Sequence, residues 1–457
     1  MIKTILFWGQ RALFVALGIA FLVFTIKILL FVRKKKIFQE KSGLKTKFFK
    51  ASGVVFGKKG LRLVCSPETK EGMTAVFGGT GSGKTSAVLI PTLRFWQGTA
   101  LVIDISGDIE PKIENPYKII YAPENADTTP YSPFATVDMI TDVEEQQEQL
   151  MQMTFLLLPD SLQDGDVTVF YKGEARKMLQ GALVAYYFAG LDFCDICRHI
   201  VCCSFELLID DIKASGNKLA ISLVSGFDGV NEKTVAGVKQ EVDKAVMLFA
   251  TNPKIARSVR RSAGGERSIY PATLETNSVY IAIDDVKLEL YAPLLRLITA
   301  QTLEYLSARK NKAEPPILIC LDEFASLGKM DILPALRKLR KKNVRIAFFT
   351  QSLADLDLAY GAVERRAMLD NIAYKVVLSA SDYETQKYFS DLAGEREVVK
   401  KTYTSSVYGE NESRTLEREK IIFPEEFAQL GNSLILLHPA GVMKLKKNFY
   451  FKRRWFN

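Results

Sequence analysis

The sequence predicts an α/β fold. It reads as a nucleotide-binding domain on a parallel sheet, with an all-α domain inserted and one transmembrane helix in front. Three observations predict it. A glycine-rich loop, residues 78–85, separates an apolar strand from a helical stretch. A second apolar run, 317–321, ends in Asp322-Glu323, and Lys84 and Asp322 are 238 residues apart. A run of 21 residues, Ala12 to Val32, carries one charge, Lys27. The predicted division is 1–50 (anchor and basic linker), 51–130 with 265–457 (nucleotide-binding domain), and 131–264 (inserted helices).

Composition narrows the class. The 457 residues, 48% hydrophobic and 25% charged, suffice for two or three domains with a sizeable core. They exclude a disordered chain, a collagen-like chain and a disulfide scaffold. Six cysteines without a spacing framework suit a reducing compartment. The net charge of +9 is concentrated: residues 1–50 hold eleven Lys/Arg against Glu40, so the remainder sums to −1. The basic balance bears first on the membrane. It neither supports nor excludes DNA binding by the rest.

In a helix, Ala12 to Val32 would span roughly 30 Å, the thickness of a hydrocarbon core. Lys27 precedes the basic run Arg33-Lys34-Lys35-Lys36 by six residues, within snorkelling reach of that interface. A cleaved signal peptide fits poorly, since no small-residue cleavage site follows and a basic run does. Eight Lys/Arg lie between Arg33 and Lys50, against Lys3 and Arg11 before the span. The positive-inside rule then places the bulk of the chain in the cytoplasm, as a single-pass inner-membrane protein. Residues 33–50 either touch anionic lipid or form a solvated linker.

Met73 to Phe77 reads as a buried strand, followed by Gly78-Gly79-Thr80-Gly81-Ser82-Gly83-Lys84-Thr85 and a helix-forming run. This is G-x-x-x-x-G-K-[ST] in its strand–loop–helix setting. Its glycines let backbone N–H groups turn towards phosphate oxygens, and the helix N-terminus adds its dipole. Lys84 would reach the β- and γ-phosphates of ATP, and the Thr85 hydroxyl would ligate Mg²⁺. Asp322, at the end of the second run, would hold Mg²⁺, and Glu323 would act as general base on the attacking water. A water-activating acid points to a hydrolase rather than a kinase. Ala100 to Asp104 and Val344 to Gln351 read as further strands, and Gln351 at the end of the latter would sense γ-phosphate or position water. Two more strands are expected at Asn277 to Ile283 and Tyr374 to Leu378.

Helical patterns dominate Tyr131 to Gly264, at Glu144–Leu158, Lys172–Gly190, Phe205–Ser215 and Thr234–Thr251. Arg257, Arg260, Arg261 and Arg267 cluster where this insertion returns, to face either nucleic-acid phosphates or solvent. Cys194, Cys197, His199, Cys202 and Cys203 match no common metal-site spacing and read as core thiols. Val398 to Lys420 reads as a hairpin or surface loop, followed by a helix and a strand from Ile421 to Leu437.

GGTGSGKT at 78–85 and LDEFASLGKMDILPALRKLRKKNVRIAFFTQSLADL at 321–356 resemble the TraG/TraD-type type IV coupling proteins. These are membrane-anchored hexameric ATPases related to the FtsK and HerA translocases. Tyr131-Ser132-Pro133-Phe134 and Phe423-Pro424-Glu425-Glu426-Phe427 are weaker echoes. The resemblance implies a RecA-like nucleotide domain, a homo-hexamer, and delivery of substrates to a type IV secretion channel. Those substrates would be DNA, single-stranded and carrying a relaxase, or secreted protein. It also implies an arginine supplied across a subunit interface. Arg340, within the basic run 337–342, matches that position, and Arg345 is the second choice. Family members commonly have two N-terminal spans, where one is read here. Two other readings stand beside this one: a DNA translocase without a secretion channel, and a membrane-tethered nucleotide-binding scaffold. The acid pair and Gln351 argue against the scaffold.

Overall fold

The computed structural model describes residues 45–47, 53–67, 72–160, 164–309, 316–406 and 409–452. The expected membrane span, 12–32, lies outside them. Among the described residues no helix is long and apolar enough to cross a membrane.

Seven parallel strands form one side of the sheet, out to its last strand. They are β1 (Thr74–Phe77), β2 (Thr99–Asp104), β3 (Lys118–Tyr121), β4 (Ser278–Ala282), β5 (Ile317–Leu321), β6 (Val344–Thr350) and β7 (Tyr374–Val377). Their spatial order is β7-β1-β6-β5-β2-β4-β3. Beyond β7, Ser433–His438, Gly441–Lys446, Val55–Lys59, Arg62–Cys65 and Lys45–Lys47 follow in turn, completing a twelve-stranded sheet. All pairings in that wing are antiparallel.

β1, β2, β5 and β6 are buried at every position, which is why they read as unbroken apolar runs. Side chains still alternate between two cores. Leu101, Ile103, Ile319, Leu321, Ile346 and Phe348 face one, and Ala100, Val102, Leu318, Cys320, Ala347 and Phe349 the other. The second core holds the helical segment after the glycine-rich loop, Lys84–Leu89 continued by α1 (Ile90–Phe95). Its first part has widened π turns. Pro91, which cannot donate a backbone hydrogen bond, follows directly.

The first core is continuous with the insertion. There the chain forms α2 (Val143–Leu157), α3 (Asp166–Phe188), α4 (Phe193–Cys202), α5 (Phe205–Ala214), α6 (Lys218–Val224) and α7 (Glu232–Thr251). Short polar side chains start several of them: Asp142 accepts from the Glu145 N–H, Ser204 from Leu207 and Asn231 from Thr234. α3 begins six residues before its expected start, because Val167-Thr168-Val169-Phe170 is β-branched and aromatic and hides the helix. The insertion leaves and rejoins the sheet at one place. Tyr131 bridges both Val259 and Ile269, and its hydroxyl donates to Gln301 at 2.6 Å on α8 (Leu288–Ala308).

After β7 and the helix Tyr383–Ala393, the chain forms a long antiparallel hairpin, Glu395–Ser406 with Gly409–Lys420. The helix expected after Ile421 is only a short 3₁₀ turn, Pro424–Phe427.

Candidate functional site

β1, β5 and β6 end on the same edge of the sheet. In register, Phe77 pairs with Thr350 and Leu321 with Phe348, so the glycine-rich loop, Asp322-Glu323 and Gln351 all emerge there. Gly81 and Gly83 take φ of 73° and 98°, values that favour glycine. A Cβ at Gly83 would also stand 2.9 Å from the Phe449 ring. The Lys84 ammonium is buried. It donates to the Gly78 carbonyl at 2.7 Å and pairs with Glu323 Oε1 at 3.1 Å. Thr85, on the first helical turn, is partly exposed.

Asp322 is 3% exposed, and its Oδ1 has no hydrogen-bond partner. Burial first, and then the charge of Glu323, push its carboxyl up to about 7, while Lys84 pulls it down. Glu323 sits at φ 43°, an unusual backbone state for a residue with a side chain. An open pocket of about 380 Å³ lies beside it, bordered by Glu323, Ser326, Thr350, Gln351 and Asp355. Glu323 therefore belongs both to the ion pair with Lys84 and to this pocket. Gln351 is exposed, and the buried Thr350 hydroxyl has no partner.

The residues fit a magnesium nucleotide. The buried Asp322 oxygen without a partner suits a divalent cation, directly or through water. The Ser82 hydroxyl, also buried and unpartnered, lies in the loop that would wrap phosphate. Asp104, at the end of β2, is a further buried acid. It is satisfied within the chain, accepting from the Ile109 and Glu110 N–H groups at 3.0 Å and the Ser106 hydroxyl at 3.2 Å.

The structure gathers Gly78, Gly79, Thr80, Gly81, Ser82, Gly83, Lys84, Thr85, Asp322, Glu323 and Gln351 at one edge. It does not bring Arg340 there. Arg340 is exposed on the 3₁₀ turn Leu339–Lys342, at the opposite end of β6. Arg345, the second choice, is 2% exposed inside β6, so it is not free to reach a neighbouring chain.

Three contacts on the loop come from residues distant in the sequence. The Ser379 hydroxyl accepts from the Gly79 N–H at 3.2 Å, Lys447 donates to the Ser82 carbonyl at 2.7 Å, and Phe449 packs on Gly83. No motif marks these residues.

Elsewhere, Arg260 pairs with Glu266 at 2.7 Å. Arg261 pairs with Asp138 at 3.0 Å and stacks on Phe134 and Tyr187. These two arginines are engaged inside the chain, whereas Arg257 and Arg267 are exposed. Cys194 and Cys197 are buried, and burial holds the Cys194 thiol up at about 12. His199 Nε2 lies 3.0 Å from Asp211, near Cys203.

The family model for type IV secretory system conjugative DNA transfer matches residues 27–457. The chain belongs to this family. Among curated proteins, protein VirD4 of Rhizobium rhizogenes is 22% identical over 448 residues. The match covers 90% of this chain and 64% of that protein. A probable conjugal transfer protein TraG of Sinorhizobium fredii is 25% identical over 412 residues, covering 83% of this chain and 62% of it. The chain thus spans somewhat under two thirds of these relatives. Among solved structures, the unbound conjugative coupling protein TrwB superposes with a TM-score of 0.66 at 21% identity, covering 82% of this chain and 84% of that one. TrwB in complex with ADP and Mg²⁺ gives 0.65 at 21% identity, covering 82% and 85%. The mixed α/β fold with a large parallel sheet is that of the RecA-like TrwB.

Proposed function

We propose that the chain is an ATPase that couples substrates to a type IV secretion channel. The observation that carries this reading is the Lys84–Glu323 pair at 3.1 Å. It joins the phosphate-binding lysine to the acid that would activate water. Residues 51–130 and 265–457 serve as the nucleotide-binding domain, and 131–264 as the all-α domain.

Residues 78–85 bind the phosphates, with Lys84 between the β- and γ-positions. Thr85 and Asp322 hold Mg²⁺, which when bound neutralises phosphate charge. Lys84 pairs with Glu323 at 3.1 Å. A γ-phosphate competes for the ammonium and frees Glu323 to take a proton from water in the adjoining pocket. Gln351, on the same pocket, orients that water or senses the γ-phosphate. Arg340 of a neighbouring chain completes the site in a homo-hexamer.

The family supplies the coupling role. Single-stranded DNA with its relaxase is the substrate we favour, with secreted protein as the second. Residues 12–32 anchor the chain in the bacterial inner membrane, leaving its bulk cytoplasmic. Purified full-length protein in detergent should hydrolyse ATP, and Lys84→Ala should abolish turnover. Hydrolysis by Lys84→Ala at the parent rate would remove the phosphate-binding assignment.

A further inference from the structure

Lys447 follows the strand Gly441–Lys446, on the antiparallel wing, 365 residues from Ser82. Its backbone is fixed by an N–H bond to the Asn432 carbonyl at 2.9 Å. The side chain is 7% exposed, and its ammonium donates to the Ser82 carbonyl at 2.7 Å. Among the described residues Lys447 forms no ion pair. An ammonium buried against a neutral carbonyl is costly, and burial lowers its pKa. A neutral donor would serve a purely structural contact at lower cost.

The peptide between Ser82 and Gly83 explains the charge. In a planar trans peptide, the carbonyl and the following N–H point in opposite directions. A cation that holds the Ser82 carbonyl outward therefore turns the Gly83 N–H inward, where the loop would meet phosphate. It also polarises that peptide and strengthens its donor. Phe449, against Gly83, closes the outer side of the same turn. Tyr450, one residue on, lies under Arg94 at 5.1 Å, on the helix that the loop opens.

We infer that Lys447 is a positioning residue of the phosphate cradle, which orients and polarises the Ser82–Gly83 peptide for nucleotide phosphate. The inference rests on the ATPase reading above. It makes the terminal part of the described chain a component of the site, acting through the backbone.

The test measures Mg²⁺–ADP affinity, ATPase kinetics and unliganded melting temperature for the full-length protein in detergent. The variants are Lys447→Met, Lys447→Arg, Lys447→Gln and Lys84→Ala. Lys447→Met should weaken ADP binding and raise KM for ATP, each about tenfold, the size of one charge-assisted hydrogen bond. It should leave kcat near the parent value, because bound ATP and the transition state lose the same donor. Lys447→Arg should recover most of the affinity, and Lys447→Gln should fall between Met and Arg. If Lys447→Met does not fold, the comparison of Gln with Arg decides: equal affinities overturn the inference. Parent-like ADP affinity in Lys447→Met, with Lys84→Ala weakened, overturns it and leaves the ATPase reading intact. A parent protein that binds no ADP overturns that reading, and this inference with it.

Discussion

At the residue scale, the site is organised by acids whose charges are not all balanced within the chain. Asp322 is buried with one oxygen unpartnered, next to Glu323. Such a group is costly in isolation and favourable beside a divalent cation. Glu124 is the opposite case. Hydrogen bonds from Lys254, from Lys287 at 2.6 Å and from Tyr291 lower its pKa to about 2 from 4.5. It thereby ties the loop after β3 to the end of the insertion and the start of α8. A depressed carboxylate stabilises the fold fully above its unfolded pKa and loses that contribution as pH falls through the folded value. Glu124→Gln should therefore lower the denaturation midpoint most at pH 7. The gap to the parent should close between about pH 4.5 and 2. Urea titrations across that range would show it, and a gap independent of pH would contradict the pairing.

At the element scale, the parts legible in the sequence are those coded by contiguous residues. The loop 78–85 follows a buried strand, and Asp322-Glu323 closes another, so local pattern alone places both at strand ends. Residues brought in from far along the chain were not legible. Ser379, Lys447 and Phe449 reach the loop only through β7 and the antiparallel wing, and no local pattern encodes that register. The beginning of α3 was hidden because packing overrides the local preference of Val167 to Phe170. The proposed anchor is also an element read from local pattern, 21 residues with one charge. Alkaline extraction of membranes bearing the full chain should leave it in the pellet, and release into the supernatant would remove the anchor.

At the scale of the whole molecule, the sheet separates two parts of the proposed machinery. Arg340 precedes β6 and Gln351 follows it. The seven residues of β6, at about 3.3 Å each, put the two ends roughly 20 Å apart. The arginine thus lies far from its own site, and in a ring it would serve a neighbour's. Arg340→Ala and Lys84→Ala should each be inactive alone, and mixed rings should regain part of the ATPase. Absence of recovery, with subunit exchange demonstrated, would count against an arginine acting in trans. The central claim is that Lys84 binds phosphate while its partner Glu323 activates water. Glu323→Gln in the full-length protein separates the two most directly, by ATP affinity and hydrolysis measured on one preparation. The account predicts near-parent affinity with hydrolysis reduced by roughly 10²–10⁴-fold. Equal loss of binding and hydrolysis, or turnover at the parent rate, would contradict it.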